Sequence, residues 1–186
     1  PANIDDWYEV LKAFKDKDPN ENNQKDEVPY TVQNVSALLR FGNAWGLRLG
    51  TGGFHVEDDV VKFGYLLPEG KEFLTWLNRI YEEGLLDPDF ASMNLDQYRA
   101  RVESNKVGAT VHFLDQLDNF QKSMQEELPD VEWITVVPPK GPNGQGGYMA
   151  KYGPISRYYS IIESSDKKEL AIKWLDYTYA TDEGND

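Results

Sequence analysis

Along this chain, segments with apolar residues at helical spacing alternate with short apolar runs bounded by Gly, Pro, Asn or Asp. That alternation predicts an α/β fold, because each helical stripe must bury itself against a strand layer. The strongest helix spans 68–84, where Phe73, Leu74, Trp76, Leu77, Ile80 and Tyr81 share one face. Pro68 at its start and Gly84 at its end are the residues those positions favour. A helix over 3–15 groups Trp7, Val10, Leu11 and Phe14, with Asn3 as its cap. Further helices are predicted over 32–45, 96–104, 114–127 and 166–179. The first of these turns Val35, Leu38, Leu39 and Ala44 inward. The last turns Leu170, Ala171, Trp174, Leu175 and Tyr179 inward, with Asp166 as its cap. Strands are predicted over 107–111, 131–137 and 158–162. A hairpin over 54–63 turns at Asp58-Asp59.

Charge and composition exclude whole classes. Nineteen Lys and Arg against 32 Asp and Glu leave a net charge of −13 in 186 residues. Such a surface repels phosphate backbones, so no nucleic-acid partner is expected. Hydrophobic residues make up 40% of the chain, which supplies a packed core and excludes global disorder. No apolar run approaches the ~18 residues a membrane span requires. The absence of Cys removes disulfides, thiolate nucleophiles and Cys-ligated zinc. Pro1 opens the chain and Gly184-Asn185-Asp186 closes it just past a patterned helix, so both ends read as cuts in a longer polypeptide.

The sequence argues against an enzyme. Glu82-Glu83 and Glu126-Glu127 would suit a glycosidase, yet they fall on polar helix faces where acids face solvent. His55 and His112 are the only His residues, with no Ser-His-Asp order beside them. No Gly-x-Ser-x-Gly, Walker loop, dinucleotide fingerprint or His-Glu-x-x-His occurs. The Gly-rich stretch 141–147 lacks the Lys-Ser/Thr helix of a phosphate loop.

The polar run after the first helix carries the clearest chemistry. Asp18, Asn20 and Asn22 put oxygen side chains at the first, third and fifth places of an EF-hand-like loop. Gln24 would supply a backbone carbonyl at the seventh, and Asp26 and Glu27 would close the shell. Calcium takes six to eight hard oxygens, and alternate residues of a curled loop aim theirs inward. Asn23 replaces the usual Gly at the sixth place, and Asn tolerates a left-handed backbone. Pro29 stands where the bidentate Glu would be, so a structural calcium loop is expected rather than a helix-loop-helix sensor. A solvated Asx-rich loop is the other reading of the same residues.

Several segments, in order, resemble the bacterial extracellular solute-binding proteins, family 1. They are the run from Asn3 to Phe14, the Asp18 to Pro29 loop, Pro68 to Leu74 with Leu77 to Asp89, Asn105 to Ala109, and Lys167 to Tyr177 continuing to Gly184. The Asp18 to Pro29 run is similar to the calcium loop of the alginate- and oligosaccharide-binding branch. The resemblance implies a periplasmic-binding-protein type II-like lobe, with helices on a small mixed sheet, as part of a two-lobed protein. It implies a second lobe over 1–150 and a return strand and helix over 151–186, with the first lobe absent. It implies a cell-surface lipoprotein or periplasmic receptor of an ABC importer. The receptor would take an oligosaccharide or other small solute, hand it to permease subunits, and touch the membrane only through a lipid anchor outside this segment. A calcium-stabilised adhesion or carbohydrate-interaction module is the alternative.

Sugar clefts join aromatic faces to planar hydrogen-bonding groups, and ligands of open α/β sheets sit beyond the carboxyl ends of strands. His112, Phe113, Asp115 and Gln116 follow the strand at 107–111 and are the ligand-binding candidates, Phe113 standing where the resemblance implies a Trp. Trp45 and Phe54 lie in a Gly-rich stretch and are candidates to line the cleft, with a core role the favoured alternative for both. Tyr158 is the candidate within the cluster Tyr148, Tyr152, Tyr158 and Tyr159. A charge of −13 without an Arg cluster favours a neutral sugar over a uronate.

Overall fold

The structure, a computed structural model, describes residues 1–49, 52–144, 146 and 160–180. The chain divides into two compact units, Pro1–Met149 and Ala150–Asp186. The first unit opens with α1 (Ile4–Asp16), whose cap is Asn3: its Oδ1 accepts the N–H groups of Asp5 and Asp6, both at 2.9 Å. Ile4, Trp7, Tyr8 and Leu11 are its buried face.

β1 (Val28–Thr31) follows the polar loop and runs parallel to β4 (Val107–Thr110). Val28 lies opposite Val107, Tyr30 opposite Ala109 and Thr31 opposite Thr110. Leu86 bridges Tyr30 in parallel, so three separate stretches of chain meet at β1. The sequence reading placed no strand here, because Pro29 interrupts a short run. The helix expected over 32–45 contracts to α2 (Val35–Leu38), followed by a 3-10 helix over Leu39–Trp45. Asn34 caps α2, its Oδ1 accepting from the Ala37 N–H at 2.9 Å. Val32 is buried ahead of that cap, whereas Val35 is exposed.

β2 (Phe54–Glu57) and β3 (Val60–Phe63) form the expected antiparallel hairpin, with Phe54 opposite Phe63 and Val56 opposite Val61. Asp58 and Asp59 both take positive φ, 51° and 61°, as a two-residue type I′ turn requires. The ribbon pairs with no further strand among the described residues, and Phe54, Val56 and Val61 are exposed.

α3 (Pro68–Glu82) packs Phe73, Trp76, Leu77 and Ile80 into the main core. Leu74 and Tyr81, expected on that face, are exposed because the buried stripe is only as wide as the i, i+3, i+4, i+7 positions. α4 (Leu95–Val102) starts at a reciprocal cap, with Asn94 and Gln97 each bonding the other's backbone N–H. Tyr98 and Val102 of α4 form a second small core with Phe120 of α5 (Leu114–Gln125). The strand expected over 131–137 has no ladder partner among the described residues. Trp133 instead packs on the second core, its backbone N–H donating to Gln121 Oε1 at 2.7 Å, while Ile134 and Val137 are exposed. Lys140 then bridges Asn3, which brings the Gly-rich segment back to the start of α1.

In the second unit, α6 (Lys168–Ala180) matches the last expected helix. At its start the Lys167 N–H donates to Ser165 Oγ at 3.2 Å. Leu170 and Trp174, expected to face inward, are exposed. Residues 160–162 carry no ladder, and the rest of the strand expected over 158–162 lies outside the described residues.

Candidate functional site

Because β1 and β4 are parallel, their carboxyl ends, Thr31 and Thr110, open onto one edge. That edge is where α/β sheets hold ligands. The strand ends are tied together: Thr110 Oγ1 donates to the Thr31 carbonyl at 2.9 Å. The hydroxyl's one proton is thereby committed, so the Tyr98 O–H must donate to Thr110 Oγ1, 2.8 Å away. Burial pushes the Tyr98 hydroxyl pKa up. The Tyr98 ring stacks on His112, with centroids 5.9 Å apart and planes 20° from parallel. Phe120 stands edge-on to both rings.

This scaffold presents Phe113. The Phe113 N–H donates to His112 Nδ1 at 2.9 Å, and the two rings meet at 82°. Phe113 is 54% exposed at the end of the strand, just ahead of α5. The Arg40 guanidinium lies over its ring, 5.6 Å from the centroid. Arg40 comes from the 3-10 helix that follows β1, so both strand ends contribute to the same surface. Gln116 is half-buried one turn into the helix, and its backbone N–H donates to the Phe113 carbonyl at 3.0 Å. The Asp115 side chain and Tyr158 lie outside the described residues.

Trp45 is 5% exposed and packs against Phe73 and Trp76, so its ring belongs to the core. Arg40 was missed by sequence reasoning. It has no motif, and only the fold brings it across 73 positions to Phe113.

The loop 18–27 curls tightly, with Asp18, Glu21 and Asn23 at positive φ of 46°, 55° and 58°. Asp18 Oδ1 and Asn20 Oδ1 both accept from the Asn22 N–H at 3.1 Å, and Asp18 Oδ2 accepts from the Asn23 N–H at 2.8 Å. Asn22 Oδ1 accepts from the Gln24 N–H at 2.7 Å, and its amide donates to Asp26 Oδ1 at 3.1 Å. The other Asp26 oxygen pairs with Lys106 Nζ at 2.6 Å. The hydrogen bonds from Lys106 and then Asn22 hold the Asp26 carboxyl below the usual range. Among the described residues, no three His, Asp or Glu side chains converge as a metal-holding group. One atom does suit a cation: Glu27 Oε1 is buried with no hydrogen-bond partner.

A groove of about 650 Å³ lies beside this loop, lined by Asp26, Asp89, Gln97, Arg101 and Lys106 among others. Its charges satisfy one another. Arg101 bonds Asp89 at 2.9 Å and approaches Asp87 at 3.5 Å, while Lys106 holds Asp26.

The fold is that of the periplasmic-binding-protein-like solute-binding proteins. Alginate-binding protein AlgQ2, solved without calcium ion, matches all of this chain over 38% of its own, with TM-score 0.69 and 24% identity. The Streptococcus pneumoniae ABC-transporter substrate-binding protein FusA in complex with kestose matches 97% of this chain and 36% of its own, with TM-score 0.61 and 22% identity. A FusA structure described as an EF-hand mutant in complex with fructo-nystose matches with TM-score 0.58 at 20% identity, over 97% of this chain and 36% of its own.

Residues 1–184 match the bacterial extracellular solute-binding protein family, and the chain belongs to it. Lipoprotein LipO of Bacillus subtilis is 31% identical over 182 residues, which is 93% of this chain and 35% of LipO. The fructooligosaccharide ABC transporter substrate-binding protein FusA of Streptococcus pneumoniae is 29% identical over 186 residues, 97% of this chain and 33% of FusA. The chain therefore spans about a third of the length of these relatives. The family is extracellular and binds solutes without transforming them, which sets aside the glycosidase reading. Among the described residues no helix is long and apolar enough to cross a membrane.

Proposed function

We propose that this chain is part of the substrate-binding component of an ABC importer, and that the component captures an extracellular carbohydrate for a membrane permease. In this reading residues 1–150 belong to the second lobe of a two-lobed receptor, and 151–186 return towards the first. A lipid anchor outside this segment would hold the receptor at the cell surface. The observation that carries the reading is the exposed Phe113 ring at the shared carboxyl edge of β1 and β4. An aromatic face takes the C–H side of a sugar. A ligand bridging two lobes stabilises the closed state by its differential affinity for that state.

Thermal unfolding of the complete two-lobed protein against a panel of oligosaccharides tests the reading. A bound sugar raises the melting temperature and is recovered unchanged. No shift anywhere in the panel points instead to the adhesion module.

Calcium in the loop 18–27 is the second element of the reading. Its support is the partnerless Glu27 Oε1, the left-handed curl of the loop, and the hard-oxygen donors Asp18, Asn20, Asn22, the Gln24 carbonyl and Asp26. Bound there, calcium would supply charge neutralisation and a crosslink between the end of α1 and β1, and no chemistry. Chelation is expected to lower the melting temperature of the calcium-loaded protein while leaving sugar affinity nearly unchanged. An identical melting temperature with chelator and with calcium sinks the assignment.

A further inference from the structure

We infer that His112 is a pH-sensitive positioning residue for Phe113: its neutral imidazole holds the exposed ring ready for a ligand, and protonation releases it. The inference rests on the carbohydrate reading above and adds a control to that same site.

The first observation is the direction of one hydrogen bond. The Phe113 N–H donates to His112 Nδ1 at 2.9 Å. A backbone N–H can only donate, so Nδ1 must offer its lone pair, and the proton of the neutral ring sits on Nε2. An imidazolium carries a proton on both nitrogens. Once His112 is charged, two donors point at each other and the bond is lost. Histidine is the side chain whose ordinary titration falls between about pH 5 and 8.

The second is the packing on either side of that bond. The Tyr98 ring lies 5.9 Å from His112 and 20° from parallel, and Phe120 stands edge-on at 6.1 Å. Tyr98 is itself anchored, its O–H donating to Thr110 Oγ1 at 2.8 Å. An aromatic face tolerates a cation, so His112 can take up a proton where it stands without opening the second core. Phe113 is the looser partner. It is 54% exposed, in extended backbone at φ −74° and ψ 152° just ahead of α5, and its side chain caps nothing. The ring that moves on protonation is therefore Phe113.

The third is the set of charges on the elements packed around His112. On α4, Asp96 pairs with Arg99, and Arg101 with Asp87 and Asp89, while on α5 Lys122 pairs with Asp118. Burial raises the pKa of the Tyr98 hydroxyl and of the Tyr30 hydroxyl on β1, so both stay neutral as histidine titrates. The Arg40 guanidinium over the Phe113 ring opposes a second cation nearby. Asp115 of α5 is the remaining charged residue, and its contribution is tested directly.

The test uses the complete two-lobed protein. Heteronuclear NMR from about pH 8 to about pH 5, without ligand, follows the His112 ring nitrogens and the Phe113 amide. The neutral ring is expected to carry its proton on Nε2, and the Phe113 amide to shift along the same titration curve. Calorimetric titration with kestose and other neutral oligosaccharides, which do not themselves titrate, should show affinity about three- to tenfold weaker at the acid end, the size of one lost hydrogen bond. His112→Gln should flatten that dependence, whereas Asp115→Asn should keep it, displaced along the pH axis. A proton on Nδ1 of the neutral ring overturns the inference, as does a Phe113 amide indifferent to the His112 titration. So does sugar affinity that ignores pH, or an undiminished pH dependence in His112→Gln. No binding of any oligosaccharide at the alkaline end overturns the carbohydrate reading instead, and the NMR titration still decides whether His112 governs Phe113.

Discussion

At the residue scale, Asp87 shows how a buried acid is kept. It is 1% exposed, and its oxygens accept from Thr31 Oγ1 at 2.9 Å and from the Asp89 N–H at 3.0 Å, with Arg101 alongside. Thr31 in turn offers its carbonyl to Thr110 beneath the candidate site. Removing the carboxylate would strand a buried hydroxyl and a partly buried guanidinium. Asp87→Ala is expected to cost about 2–3 kcal/mol in chemical denaturation, discounted from the fully buried case because Arg101 still reaches solvent and keeps Asp89. Asp87→Asn should cost less, since Thr31 keeps an acceptor.

Glu83 sets a pH dependence at the same scale. Its carboxyl lies below the ordinary range because the Tyr8 O–H donates to it at 2.6 Å and Arg79 bonds it at 3.0 Å. A carboxyl with a lowered folded-state pKa stabilises above its unfolded value, about 4.3, and that contribution fades as pH falls through the lowered value. Tyr8→Phe removes the hydroxyl that donates to this carboxylate. The variant should lose stability at neutral pH and show a flatter decline below about pH 4 than the parent. Parallel stability curves for the two would refute this account.

At the scale of elements, the parts readable from sequence are those whose signals are local. The helix ending at Gly84 has a Pro start, a Gly stop at φ 65° and a four-position stripe, and nothing distant is needed to see it. The Asp58-Asp59 hairpin is equally local. β1 was hidden because its identity depends on Val107 to Thr110 and on Leu86, far along the chain. The 131–137 segment shows the converse. It alternates like a strand, but Trp133 packs on Phe120 and its companions, and the segment joins no ladder among the described residues. At the site the same division holds: Phe113 follows from its place after a strand, whereas Arg40 follows only from the packing of the 3-10 helix.

Gly141 is an element-scale constraint of the same non-local kind. A Cβ there would lie 1.8 Å from the Ala44 carbonyl oxygen, so the Gly-rich segment rests directly on the 3-10 helix that carries Arg40. Gly141→Ala must displace backbone, and a loss of about 1–3 kcal/mol is expected in denaturant titration. An unchanged midpoint would mean that the segment does not rest on that helix in solution.

At the scale of the whole molecule, the chain divides into two compact units and spans about a third of the length of LipO and FusA. The chain carries a net charge of −13. Among the described residues Lys122 pairs with Asp118 and Lys168 with Glu163.

The β2–β3 ribbon has a further bearing on how the protein behaves at high concentration. Among the described residues its backbone edges pair with no further strand, and Phe54, Val56 and Val61 are exposed, the combination by which separate copies stack into shared sheets. Glu57 pairs with Lys62 across the ribbon, and at its tip stand Asp58 and Asp59, so two approaching copies bring like charges together before their edges can meet. The deterrent is purely Coulombic and weakens as the Debye length shrinks from about 10 Å at 0.1 M salt to about 3 Å at 1 M. Light scattering should therefore report self-association that grows with salt, and Asp58→Asn with Asp59→Gly should bring it on at lower salt while keeping the turn. The same ribbon that folds readily is guarded by two carboxylates against assembling with its own kind.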